Sequence, residues 1–280
     1  MEKVELPWDV WMIILDRPEI KGLSVILRLV CRQWRDYIKN PKTCYSHMTY
    51  SIPLICFAIS HLGFPKRKVC QSTATSGNME VMEWAIRMGY PVEECTHINA
   101  AIAGNLEVMK LLYRIGFQWN CWPIVYAAEH GHLEMVKWMY EKNPGTVINI
   151  NIMRRAATGG HRHIIHFLRK NGCMWDWGVP RLAAINGNLE LLKWLKEKGC
   201  PFDSFTCSGA SEGGHLNILK WLRNQGCDWD SWTIAYAALK GHFEIMVWAW
   251  ENGCEWNPGL NSYCRSLADK KCLEWILSQQ

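Results

Sequence analysis

From about residue 66 onward the apolar positions fall into short runs at helical spacing. In Leu189-Glu190-Leu191-Leu192-Lys193-Trp194-Leu195-Lys196-Glu197-Lys198 they recur every three or four residues, which predicts an amphipathic helix. Gly199 follows where a left-handed cap would end it. Ahead of it, Ala183-Ala184 belongs to a shorter, small-residue helix that stops at Gly187-Asn188. The same pair of helices is announced by Gly77-Asn78, Gly104-Asn105, Gly131-His132, Gly160-His161, Gly214-His215 and Gly241-His242. In chain order these anchors are 27, 27, 29, 27, 27 and 27 residues apart, and 27 more reach a degenerate Ala268-Asp269. Seven residues after the anchors come Trp84, Leu111, Trp138, Phe167, Trp194, Trp221, Trp248 and Trp275. Neither helix of a copy can bury its apolar face alone. Copies stacked side by side make that face continuous, so the pattern predicts an all-α solenoid of helix-turn-helix repeats.

The segment Ala127-Ala128-Glu129-His130-Gly131-His132-Leu133-Glu134-Met135-Val136-Lys137-Trp138 resembles the core of ankyrin repeats. Gly226-Cys227-Asp228-Trp229-Asp230 stands where that family carries Gly-Ala-Asp-Val-Asn. The likeness covers roughly residues 66–280, with a worn copy near 46–65 in which Phe57 takes the tryptophan position. The usual ankyrin period is about 33 residues, so the connections here are shortened and the protruding hairpin fingers are expected to be trimmed or absent. In its short, Trp- and Cys-rich copies the chain is similar to the ankyrin proteins abundant in giant DNA viruses of amoebae. That resemblance implies a viral protein acting on host proteins.

Composition then asks what the 17 tryptophans and 13 cysteines do. Cys173, Cys200, Cys227 and Cys254 share one repeat position. Stacked helices lie about 8–10 Å apart, too far for a disulfide ladder, which needs Cα atoms within about 7 Å. A row of evenly spaced thiols cannot converge on zinc either. They are expected to be small buried residues in a reducing compartment, cytoplasmic or nuclear. Met1–Glu5 has no apolar run, which predicts no secretory leader, and no stretch is long and apolar enough for a membrane span. Tryptophans of the second helices read as core. So does a second aromatic row, Trp119, Trp175, Phe202, Trp229 and Trp256, in the connections. A third row, Trp122, Trp177, Phe205 and Trp232, falls where the next helix begins. It reads either as packing or as a partly exposed interaction edge.

His161-x-His163-x-x-His166 lacks a cysteine or carboxylate at ligand spacing, so no metal or other cofactor is expected. His132, His161, His215 and His242 read as turn-stabilising residues. Around Asn143-Pro144-Gly145-Thr146 one repeat carries two extra residues, and no acid occurs from Lys142 to Trp175. Within that window Arg154, Arg155, Arg162, Arg169 and Lys170 form a basic stretch, read either as a solvated face or as a docking surface for an acidic partner. A net charge of +5 is too mild to indicate nucleic acid, and the chain carries no nucleophile-elbow, metalloprotease or phosphate-loop motif. An enzyme is therefore not expected.

Residues 1–45 lie outside the periodicity. Leu6-Pro7, Ile14-Leu15, Leu23 and Val30-Cys31-Arg32-Gln33-Trp34-Arg35 follow the order of an F-box, which this stretch resembles. The likeness departs at Asp16-Arg17-Pro18 and by one residue inserted before Leu29. It implies three short helices that dock the Skp-type adaptor of a cullin–RING ubiquitin ligase, with Leu6, Pro7, Ile14, Leu15, Leu23, Val30 and Trp34 as apolar anchors. The expected organisation is thus an F-box-like domain over 1–45 and an ankyrin-like solenoid over 46–280, with about eight repeats and a degenerate first copy. Together they imply a substrate-recognition subunit whose repeats hold a target protein, with Arg154, Arg155, Arg162, Trp122, Trp177 and Trp232 as candidate target contacts. The competing reading is an interaction scaffold outside any ligase, its N-terminus a helical cap.

Overall fold

The computed structural model describes residues 64–118, 120–143, 149–260 and 269–278, with Ile52, Ile55, Cys56 and Ile59 before them. Leu6, Pro7, Ile14, Leu15, Leu23, Val30 and Trp34 lie outside the described residues, as do Phe57, Trp119 and Pro144-Gly145-Thr146. Among the described residues the fold is all-helical, with no strand. Two compact units divide the chain, residues 1–119 and 120–280.

In the first unit, helices α1 (Val69–Ser76) and α3 (Glu94–Ala103) pack side by side. Each is paired with its following helix, α2 (Met79–Arg87) or α4 (Leu106–Arg114). The second unit extends the same scheme. Its short first helices are α5 (Trp122–Glu129), α7 (Ile150–Thr158), α9 (Gly178–Ile185), α11 (Ser204–Glu212) and α13 (Ser231–Leu239), each packed on the next. Their partners are α6 (Leu133–Lys142), α8 (Arg162–Lys170), α10 (Leu189–Glu197), α12 (Leu216–Asn224) and α14 (Phe243–Glu251), and α15 (Lys270–Ser278) packs on α14. The connections between pairs contain no strand among the described residues, so no hairpin finger is seen there.

Side-chain size explains the layering. First helices bury alanines, such as Ala156-Ala157, Ala183-Ala184 and Ala237-Ala238, which let neighbouring backbones approach closely. Second helices bury one larger apolar triad each, such as Ile164-Ile165-Leu168, Leu191-Leu192-Leu195 and Ile218-Leu219-Leu222. The glycine between the two helices turns the chain back. At Gly187 φ is +73°, a left-handed conformation that costs an L-residue about 1–2 kcal/mol. Gly199 does the same at the far end of α10, with φ +76°.

There Cys200 N donates to Leu195 O at 2.9 Å, closing the helix end, while its side chain turns into the core. Cys173, Cys227 and Cys254 repeat this geometry, and all four thiols are free and buried. Burial pushes Cys200 and Cys254 up to about 12, so they remain protonated at neutral pH. Iodoacetamide under native conditions is therefore expected to modify the exposed Cys121 and spare Cys200 and Cys254 until the chain is denatured. Peptide mass spectrometry before and after unfolding reads this directly, and early labelling of Cys200 would contradict it.

Candidate functional site

At four of the turns the residue after the glycine does more than stabilise the turn. His161 Nε2 bonds the carbonyl of Glu129 at 2.9 Å, and His215 Nε2 that of Ile185 at 3.0 Å. His242 Nε2 reaches Glu212 O at 3.2 Å. Each acceptor lies near the end of the preceding first helix, among carbonyls that have no partner within the helix. In the first unit Asn105 fills the same role, its Nδ2 donating to Ala74 O at 2.6 Å. The sequence reading assigned His161, His215 and His242 to their own turns. The correction is that these side chains tie one repeat to the one before.

Burial lowers the pKa of His161 below its usual 6.5, against the opposing pull of the Glu129 carbonyl. The folded unit thus takes up a proton less readily than the unfolded chain. Stability is complete above about 6.5 and falls as the pH drops below it toward the depressed folded value. In the first unit His97, packed 5.8 Å from the Phe117 ring, is lowered by burial in the same sense. Denaturant midpoints are expected to fall between pH 7.5 and pH 5.5. His161→Asn, which can make the bond that Asn105 makes, is expected to remove part of that drop.

The basic stretch is resolved differently from its appearance in the sequence. Arg154 and Arg155 belong to α7, and Arg162 begins α8 on the other member of the pair. Arg154 is bound by Asp176, with Nε to Oδ2 at 2.8 Å and a second bond from Nη2. Arg155 meets Glu129 at 3.3 Å. Asp176 lies just past the acid-free window and Glu129 one repeat earlier, so stacking supplies the countercharges that the linear window lacks. Arg162 is exposed, with no ion-pair partner among the described residues. His163 Nε2 lies 3.3 Å from Gly131 O, and among the described residues no three His, Cys, Asp or Glu side chains gather to hold a metal ion. No described helix is long and apolar enough to cross a membrane.

The connections carry the two aromatic rows to different fates. In the second row Arg169 covers Trp175 at 4.6 Å, Lys196 covers Phe202 at 5.4 Å and Arg223 covers Trp229 at 4.1 Å. Phe202 and Trp229 also meet the next repeat edge-on, at Trp221 (6.3 Å) and Trp248 (5.8 Å). These rings are mortar between repeats. The third row stands at the starts of the first helices. Trp122 and Trp177 are 48% and 46% exposed, as is Phe205 at 46%, and Trp232 is half-buried against Tyr236. Trp177 and Phe205 lean together with centroids 5.1 Å apart, and Arg154 lies over Trp177 at 5.0 Å. Trp177 and Phe205, half exposed at the starts of the adjacent helices α9 and α11, make a ledge, and Trp122 stands apart from it on α5.

Beside the ledge runs a row of carboxylates that sequence reasoning passed over, although Asp176, Asp203 and Asp230 show the repeat spacing of 27. Each stands just before a first helix. Asp176 Oδ1 accepts from Gly178 N at 3.1 Å and Val179 N at 3.2 Å, and Asp230 Oδ1 accepts from Trp232 N at 3.0 Å. Asp230 Oδ2 accepts from Ser204 Oγ at 2.8 Å, which seats that carboxylate beside the start of α11. Arg181, one repeat on from Arg154, turns instead to Glu212 at 2.6 Å. Comparison with known proteins adds no assignment: no protein-family profile matches the chain, and no curated protein matches it.

Proposed function

We propose that this chain is a substrate-recognition subunit, holding a target protein on its repeats and docking a Skp-type adaptor of a cullin–RING ubiquitin ligase through residues 1–45. The observation that carries the target-holding half is the ledge of Trp177 and Phe205, with Trp122 also exposed on α5. These are large rings kept about half exposed, whereas Phe202 and Trp229 of the second row are covered by Lys196 and Arg223 and packed on the next repeat. Rigid aromatic surface of this kind suits a protein partner, since such rings contribute contact area with little conformational entropy to lose. The ligase half rests on the order Leu6-Pro7, Ile14-Leu15, Leu23 and Val30-Cys31-Arg32-Gln33-Trp34 and its likeness to an F-box. In this reading the chain supplies affinity and geometry. Ubiquitin transfer belongs to other subunits, and tethering raises the effective concentration of target lysines near them.

Co-purification of the full chain with a Skp-type adaptor tests the assignment. Binding that is lost on replacing Pro7→Ala together with Leu15→Ala supports it. No binding, or binding indifferent to both substitutions, leaves the repeats as an interaction scaffold with an N-terminal cap.

A further inference from the structure

The ledge contains its own indication of what it holds. At Asp176 the guanidinium of Arg154 occupies a composite site, bonded to the carboxylate and lying over the Trp177 ring at 5.0 Å. The carboxylate recurs at the repeat spacing as Asp203 and Asp230, each followed two residues on by a ring, Phe205 or Trp232, where Asp176 is followed directly by Trp177. The repeat does not rebuild the arginine. The equivalent of Arg154 for Asp203 is Arg181, which pairs with Glu212 and lies 5.7 Å from Tyr236; for Asp230 it is Ser208. Among the described residues neither Asp203 nor Asp230 forms an ion pair; Asp228, exposed two residues before Asp230, adds a negative charge, and the Arg223 guanidinium lies over the intervening Trp229 at 4.1 Å.

We propose that this edge of the second unit binds a peptide segment bearing two arginines, whose guanidinium groups take at Asp203 and Asp230 the place that Arg154 takes at Asp176. The inference rests on the protein-binding reading above and names the chemistry of the partner. It reverses the polarity expected from the basic stretch, where Arg154 and Arg155 are already paired with carboxylates. Spacing sets the peptide's pattern. Stacked helices lie about 8–10 Å apart. A polyproline II segment has three residues per turn and rises about 3.1 Å per residue, so arginines at i and i+3 share one face about 9 Å apart. Arginine is preferred to lysine because a planar guanidinium can pair with a carboxylate and stack on a ring at once.

The test is calorimetric titration of the full chain with a synthetic peptide containing Arg-Pro-Pro-Arg, at low and at physiological salt. Saturable binding is expected, weakened at least tenfold by changing both arginines to lysine. Asp203→Asn with Asp230→Asn is expected to weaken it at least tenfold too. Asparagine keeps the helix-capping ability of aspartate, so an unchanged circular dichroism spectrum is expected to separate lost charge from lost fold. Arg154→Ala vacates the third site and is expected to favour a peptide extended to three arginines at the same spacing. No binding, equal binding of the lysine peptide, or binding untouched by the paired Asn substitutions would overturn the proposal. The titration needs no adaptor, so its failure and that of the Skp co-purification are separate results.

Discussion

Gly213→Ala is expected to destabilise the unit of residues 120–280 by about 3 kcal/mol, the upper part of the range for overpacking a close contact. Gly213 has φ −80° and ψ −9°, an ordinary helical backbone, so no conformational strain is involved. The need for glycine is steric. A Cβ at 213 would stand far inside contact distance of the Ile185 carbonyl oxygen and 2.7 Å from His215 Cδ2. That carbonyl is also the acceptor of His215 Nε2, so the added methyl separates the repeats and strips the clamp together. Gly159 is placed likewise against the Glu129 carbonyl and His161. Gly199→Ala is the informative comparison. It meets nothing within 4 Å and carries only the left-handed backbone penalty, about 1–2 kcal/mol. Denaturant midpoints of the two variants give the ranking, and equal losses would show that the carbonyl contact is not the constraint.

Leu192→Ala is expected to cost about 3 kcal/mol, within the usual range for truncating a fully buried leucine. Leu192 is 0% exposed, in the middle triad of α10. In a stacked array each repeat is stabilised chiefly by its neighbours, so a cavity here weakens the coupling between the copies on either side as well as α10 itself. Urea unfolding followed by tryptophan fluorescence is expected to lose steepness or split into two steps. The exposed Glu190→Ala, on the same helix, should leave the transition nearly unchanged. A Leu192→Ala transition shifted by less than about 1 kcal/mol would mean that the site collapses to fill the void.

Some of this was readable in advance because it depends on local chemistry. The anchors Gly187 and Gly199 mark turns at which only glycine adopts the left-handed backbone without penalty, and both helices end there as the spacing implies. The apolar period over Leu189–Lys198 marked a helix with one apolar face, although Trp194, expected in the core with the other second-helix tryptophans, is only partly buried beside Leu191, Leu192 and Leu195. The even spacing of Cys173, Cys200, Cys227 and Cys254 argued against bridges among thiols that are free in the fold. Other features joined residues roughly a repeat apart and had no local signature. Nothing near Arg154 in the chain shows that Asp176 neutralises it. Nothing near His161 shows that its ring reaches the Glu129 carbonyl. The difference between Trp229, roofed by Arg223, and Phe205, left half exposed, arises only when neighbouring copies are laid together.

What the amino-acid sequence determined by itself is the two-helix unit and its period, because turn conformations and helical amphipathicity act within a few residues. The tertiary structure alone decided which charges are spent inside the stack and which remain for a partner. Ion pairs, carbonyl clamps and ring exposure depend on distances between successive copies, and stacking sets those distances.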